Sequence, residues 1–210
     1  MDRAAHWDAV YRAKGETGVG WYQQRASVSL DLIRRVAPDV ATPILDVGAG
    51  ASTLVDGLLD AGYCDVSALD LAPSGLGLAR SRLGERAACV RWLVADVLDA
   101  PLRAAAYGVW HDRAVFHFLT GEEERARYVA RVRHAVRPGG HVIVAAFGPA
   151  GPTTCSGLEI RRYGAGAMHA EFGPGFRLLD SLREDHRTPS GGLQQFTYCL
   201  CRIDAGPGRG

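Results

Sequence analysis

Short apolar runs alternate along the chain with longer stretches in which apolar positions recur every three or four residues. The first pattern suits buried strands and the second amphipathic helices, so the alternation predicts an α/β protein built on a parallel sheet. The first strand is expected at Ile44–Val47, entered from Pro43 and left through Gly48-Ala49-Gly50. Ser52 is placed to cap a helix that carries Leu54, Val55, Leu58 and Leu59 on one face and ends near Gly62. A second strand follows at 66–69. Pro73 then suits the first turn of a helix that turns Leu76, Ala79 and Leu83 inward. Third and fourth strands are expected at 90–94 and 107–110. Thr120 and Glu123 have capping-box spacing ahead of a helix with Tyr128, Val129, Val132 and Val136 on its stripe. Arg137-Pro138-Gly139-Gly140 should end that helix before a fifth strand at 141–147.

Beyond 147 the pattern changes. Residues 148–157 are rich in glycine and proline and read as a loop, and a short helix is expected at 165–171. Two strand-like stretches, 176–182 and 195–203, flank Pro189-Ser190-Gly191-Gly192 and should pair antiparallel. With no composition break or internal repeat, the 210 residues are expected to form one domain over 1–204. Within it, 1–35 is a helical prelude, 36–147 the core and 148–204 the remaining face; 205–210 is expected to be disordered. The 24 basic and 23 acidic residues leave a formal charge of +1. That balance argues against nucleic acid or an anionic membrane as partner. The five cysteines are scattered without zinc-ribbon spacing, which points to a reducing compartment, the cytoplasm. The N-terminal stretch lacks the apolar segment of a signal peptide, and no run of 18 apolar residues occurs.

The chemistry-bearing feature is the turn after the first strand. Gly48 and Gly50 let the backbone bend sharply and approach a ligand closely. Asp70, at the end of the second strand, is placed to accept both hydroxyls of a ribose, and Ala95-Asp96-Val97 ends the third strand. Two ligand classes fit such a sheet. A dinucleotide site usually has a third glycine where this chain has Thr53. Asp46, directly before the turn, would repel a pyrophosphate and suits an ammonium group, which S-adenosylmethionine carries.

These residues resemble those of class I S-adenosylmethionine-dependent methyltransferases. Residues 46–52 are similar to the family's first motif, 68–71 to its ribose-binding strand end, 95–97 to its adenine-binding turn and 136–140 to the turn before strand five. The opening, His6-Trp7-Asp8-Ala9-Val10-Tyr11 with Trp21-Tyr22, resembles the thiopurine and tellurite-resistance branch and the small protein-lysine methyltransferase branch. The resemblance implies a Rossmann-like, doubly wound, mostly parallel seven-stranded sheet with an antiparallel C-terminal strand pair. It implies S-adenosylmethionine as cofactor and S-adenosylhomocysteine as product. By the same resemblance Asp46, Gly48, Gly50 and Ser52 hold the methionine portion, Asp70 and Leu71 the ribose, and Asp96 and Val97 the adenine, with His111 nearby.

The acceptor side admits more than one reading. Trp7, Tyr11, Trp21 and Tyr22 are either a lid that excludes water and faces the sulfonium, or, for Trp7 and Tyr11 at i, i+4 spacing, anchors of a helix. His111 and His117 are candidate general bases, with Asp112 as orienter. Alternatively Asp112 and Arg113 cap the next segment and His117 is a core residue. Cys155 and His186 fall in the C-terminal region; together with His111 and His117 they match no zinc spacing, so no metal is expected. The leading expectation is methyl transfer by in-line displacement to S, N or O of a small-molecule acceptor. The alternatives are a protein lysine as acceptor, and a noncatalytic nucleotide-binding module or NAD-dependent enzyme.

Overall fold

Strands β1 (Ile44–Val47) and β2 (Val66–Asp70), short and mainly apolar, are buried at every position, as suits a sheet covered on both faces. The computed structural model describes residues 2–204. Two helices, α1 (Arg3–Lys14) and α2 (Ser27–Val36), precede β1, and α3 (Leu54–Asp60) links β1 to β2. The chain continues through α4 (Pro73–Leu83), β3 (Val90–Val94), β4 (Tyr107–Arg113), α5 (Glu122–Ala135) and β5 (Val136–Phe147). A two-stranded antiparallel flap, β6 (Thr154–Cys155) and β7 (Leu158–Glu159), begins within the loop expected at 148–157 and ends just beyond it; α6 (Ala165–Phe172), β8 (Phe176–Arg187) and β9 (Leu193–Ile203) follow.

Among the described residues the main sheet has seven strands in the order β3-β2-β1-β4-β5-β9-β8. The first five are parallel, and β9 and β8 run antiparallel. This is a doubly wound, Rossmann-like α/β fold. Helices α2, α3 and α4 pack on one face through Ile33, Leu54, Leu58 and Leu76. Helices α5 and α6 cover the other through Tyr128, Val132, Met168 and Phe172. Strand order reverses between β1 and β4, and a crevice opens beyond their carboxyl ends. Helix α1 lies over that crevice. Asp2 caps it by accepting the Ala4 and Ala5 N–H groups, and Asp8 accepts the Ser74 N–H of α4 at 2.9 Å.

Several boundaries differ from the sequence pattern for local reasons. Strand β4 continues through His111 and Asp112 to Arg113, because pairing with β5 persists to Ala145 and buried partners satisfy the polar side chains. The Thr120/Glu123 capping box does not form. Helix α5 starts after Gly121 with no side-chain cap, and the Arg125 guanidinium takes the Thr120 carbonyl at 2.6 Å. Three glutamates in its first turn complement the helix dipole instead. Residues 137–140 fall inside β5 rather than ahead of it, at a register shift opposite Tyr107 and Val109, where Gly139 adopts φ +77°. Thr53 rather than Ser52 occupies the cap position of α3, although Ser52 Oγ accepts the Leu54 N–H at 3.1 Å. Residues 205–210 lie outside the described residues. No helix among the described residues is long and apolar enough to cross a membrane.

Candidate active site

After β1 the chain turns through Gly48 at φ +67° and Gly50 at φ +45°, a region that disfavours side chains. Space demands glycine as well. A Cβ on Gly48 would lie 2.0 Å from Val115 Cγ2, and one on Gly50 would lie 1.9 Å from the Tyr11 hydroxyl. Gly48 N–H donates to the Leu69 carbonyl at 2.7 Å, and Gly50 N–H donates to Asp70 Oδ2 at 2.9 Å. Asp70 Oδ1 also accepts the Ala72 N–H, at 2.7 Å. Burial pushes the Asp70 carboxyl up to about 6, even though these N–H groups favour its ionised form. From outside, Arg82 donates to the Ala51 and Ser52 carbonyls and pairs with Asp56 and Glu16. The turn is therefore held from both sides, and Asp70 is at once part of its scaffold and part of the crevice wall.

The crevice encloses about 800 Å³ of empty space with its open mouth counted. Gly48, Asp70, Leu71, Asp96 and Val97 line it from the sheet, and Trp7 and Trp21 from the N-terminal segment. Asp96 Oδ1 accepts the Leu98 N–H at 2.9 Å, which fixes the turn after β3. An adjoining space of about 520 Å³ is lined by Asp46, Gly48, Ser52, Tyr22, Trp21 and His111. Gly50 lines neither space, because Tyr11 covers it.

Trp7 meets Phe118 edge-on at 5.0 Å and Trp21 at 5.6 Å; Tyr11 meets Trp21 at 6.1 Å. Trp7 and Tyr11 thus both anchor α1 and line the crevice. Arg3 ties the start of α1 to Glu124 on α5 at 2.6 Å.

The three candidate proton-transfer residues are placed for other work. Both nitrogens of His111 are engaged, Nδ1 with Asp46 Oδ1 at 2.7 Å and Nε2 with Ser29 Oγ at 2.8 Å. Asp112 accepts the Val115 and Phe116 N–H groups and the Tyr128 hydroxyl, so it caps the turn after β4; burial pushes its carboxyl up to about 6. His117 is fully buried against Phe118 and Phe147 and accepts the Phe147 N–H at 3.3 Å. Burial, with the Arg113 charge, lowers its pKa to about 3, so it is neutral at pH 7. Neither Asp112 nor His117 lines either space. The expected general base therefore has no support at these positions.

Ser29 is the contributor without a sequence signal, and the sequence pattern around Tyr11, Cys155 and Arg113 does not show the contacts that place them. Ser29 is a polar residue on the buried face of α2. Tyr11 seals the turn, Cys155 reaches the crevice from the flap, and Arg113 borders both spaces. Arg113 donates to the Tyr198 hydroxyl at 3.0 Å and the Trp21 carbonyl at 3.3 Å, pairs with Glu184 and lies over the Phe196 ring at 4.0 Å. Burial pushes the Cys155 thiol up to about 11. His186 donates from Nε2 to the Gly20 carbonyl at 2.9 Å. Among the described residues no three potential metal ligands come together. Ala114, on the crevice wall, is held at φ +78°, its N–H donating to the Ala145 carbonyl at 2.9 Å.

Residues 44–140 match the family model described as a methyltransferase domain. Human EEF1A lysine methyltransferase 2 is 22% identical over 191 residues, which cover 84% of this chain and 75% of that protein. A solved structure reported for the conversion of a disulfide bond into a thioacetal group during echinomycin biosynthesis superposes with a TM-score of 0.76 at 20% identity, covering 97% of this chain and 94% of the other. The 1,6-didemethyltoxoflavin-N1-methyltransferase of Burkholderia thailandensis, solved with its acceptor and S-adenosylhomocysteine, is 22% identical with a TM-score of 0.64 over 96% of this chain and 88% of that one.

Proposed function

We propose that this chain, a class I S-adenosylmethionine-dependent methyltransferase by its fold and core sequence, transfers the methyl group to a heteroatom of a small-molecule acceptor. S-adenosylmethionine supplies an electrophilic methyl carbon on a sulfonium, open to in-line displacement. The residues present suit that cofactor: a buried carboxylate at Asp46 has an unpartnered oxygen, and Asp70 lines the crevice where ribose hydroxyls can donate to it. In this reading Asp46 and the backbone at Gly48 hold the methionine portion, Asp70 and Leu71 the ribose, and Asp96 and Val97 the adenine, while Gly50, covered by Tyr11, serves the turn and does not touch the ligand.

The observation that carries the acceptor class is the makeup of the opposite wall. Trp7, Trp21, Val115, Phe118 and Leu119 are apolar or aromatic, and the charged groups there, Arg3 and Arg113, are both cationic. The carboxylates of the crevice, Asp70 and Asp96, stand on the cofactor side. Arg3 and Arg113 are already paired with Glu124 and Glu184, so a lysine ammonium would meet an apolar wall with no carboxylate lining it, whereas a neutral aromatic acceptor would meet stacking surface. With His111, His117 and Asp112 engaged elsewhere, the acceptor must itself ionise readily or release its proton to water. Trp7 and Trp21 exclude water and orient the acceptor, and orientation can supply several kcal/mol, up to about 7 to 11 in the best intramolecular cases.

The second reading, a protein-lysine acceptor, is favoured by the name of the human relative. Incubation with methyl-labelled S-adenosylmethionine and a heat-treated lysate, split into low-mass and protein fractions, separates the two. Label in a low-mass, enzyme-dependent product supports the proposal; label confined to a protein band overturns it.

A further inference from the structure

Asp46 on β1 and His111 on β4 are direct cross-strand partners in the parallel sheet, and Ser29 on α2 packs against the same face. A carboxylate can only accept or be bridged by a shared proton, so His111 Nδ1–H donates to Asp46 Oδ1, at 2.7 Å. Nε2 is hydrogen-bonded to the Ser29 hydroxyl at 2.8 Å, accepting its proton when the ring is neutral and donating to its oxygen when the ring is protonated. The chain Ser29 to His111 to Asp46 is sealed from solvent, with exposures of 1%, 2% and 2%. It ends in an unfilled acceptor, since Asp46 Oδ2 has no hydrogen-bond partner among the described residues. Asp46 and His111 border the smaller space beside the glycine turn. A buried carboxylate with one oxygen fixed and the other free is expensive unless a cation or donor completes it.

We propose that His111 and Ser29 are positioning residues, which hold Asp46 so that its free oxygen receives the ammonium group of the cofactor's methionine portion. The inference rests on the cofactor assignment above and is independent of the acceptor. It accounts for a histidine at the carboxyl end of β4 that is unavailable to the acceptor, and for a serine on the apolar face of α2. His111 acts through Asp46: without its donor the carboxylate would be free to rotate.

The test is calorimetry of the full chain with two ligands, S-adenosylhomocysteine and the same molecule without its α-amino group. The wild type should prefer the amine-bearing ligand by about tenfold or more, as expected for a charge-assisted bond. His111→Phe should reduce that preference to about threefold or less while leaving affinity for the amine-free ligand within about twofold. His111→Asn, whose amide N–H can replace the Nδ1 donor, should restore most of the preference, and Ser29→Ala should give an intermediate value. Equal weakening of both ligands by His111→Phe, or an unchanged preference, overturns the proposal. If His111→Phe does not fold, Ser29→Ala decides: an undiminished preference there overturns the relay. A wild type that binds neither ligand would refute the cofactor assignment itself, whereas one that binds both alike refutes only the role given to Asp46, His111 and Ser29.

Discussion

Replacing Asp70 with asparagine should separate cofactor binding from stability. The carboxylate accepts the Gly50 and Ala72 N–H groups at 2.9 and 2.7 Å, in surroundings that raise its pKa from 3.8 to about 6. At about 1.4 kcal/mol per pKa unit, keeping it ionised at pH 7 costs the fold about 3 kcal/mol. Asparagine removes that penalty but retains one carbonyl acceptor, so one buried N–H loses its partner, at a cost of about 1 to 3 kcal/mol. The opposing terms leave a net change within about 2 kcal/mol, or within about 8 °C in Tm for a chain of this size. Binding has no such offset. Loss of charge-assisted bonds to the ribose hydroxyls, about 1.5 to 3 kcal/mol, should weaken S-adenosylhomocysteine about 10- to 150-fold. The pH dependence runs in opposite directions for the two properties. Between about pH 4 and 6 the folded state retains a proton that the unfolded chain has released, so this group's contribution to stability falls as pH rises through that window. Binding needs the ionised carboxylate, so wild-type affinity should fall as pH drops below about 6. Asp112 is also raised to about 6 but borders neither space, so Asp70→Asn should flatten the binding profile. Calorimetry from pH 5 to 8 is the assay. An asparagine variant within twofold of wild type at pH 7 would refute the assignment of Asp70 to the ribose.

Gly50→Ala places a Cβ 1.9 Å from the Tyr11 hydroxyl at a φ of +45°, so it should displace α1 from the turn. Faster proteolysis within residues 1–25 and weaker S-adenosylhomocysteine binding are expected; the companion Tyr11→Ala should relieve the steric part. Tyr128→Phe removes the hydroxyl that accepts from Trp110 Nε1 at 2.9 Å and donates to Asp112. It should lower stability by about 1 to 3 kcal/mol in denaturant titrations with little effect on cofactor affinity. Cys64 and Cys89 are exposed, whereas Cys155, Cys199 and Cys201 are buried with thiols raised to about 11, 11 and 12. At pH 8 a thiol reagent should therefore modify two cysteines rapidly, and the other three on unfolding; fast reaction of a third would contradict the burial of these thiols.

What could be read directly from the chain was whatever local pattern controls. The stretches at 44–47 and 66–69 were legible as strands, since short, mainly apolar stretches between helical patterns pair inside a sheet covered by two helical layers. The glycine turn, the carboxylate at 70 and the turn at 95–97 were equally legible, because a close approach of backbone to ligand restricts residue type at each point. The polar residues at the end of β4 were not. Whether His111 and Asp112 are free to act on an acceptor depends on Ser29, Asp46 and Tyr128, which lie 16 to 82 residues away in the chain. Periodicity carries no information about such partners. Tertiary structure alone decided that these side chains are committed inward, that Arg113 separates the two spaces, and that Tyr11 closes over Gly50. Each is a contact made only when distant segments fold onto the same sheet edge, where burial makes every unpaired polar atom costly enough to select its partner.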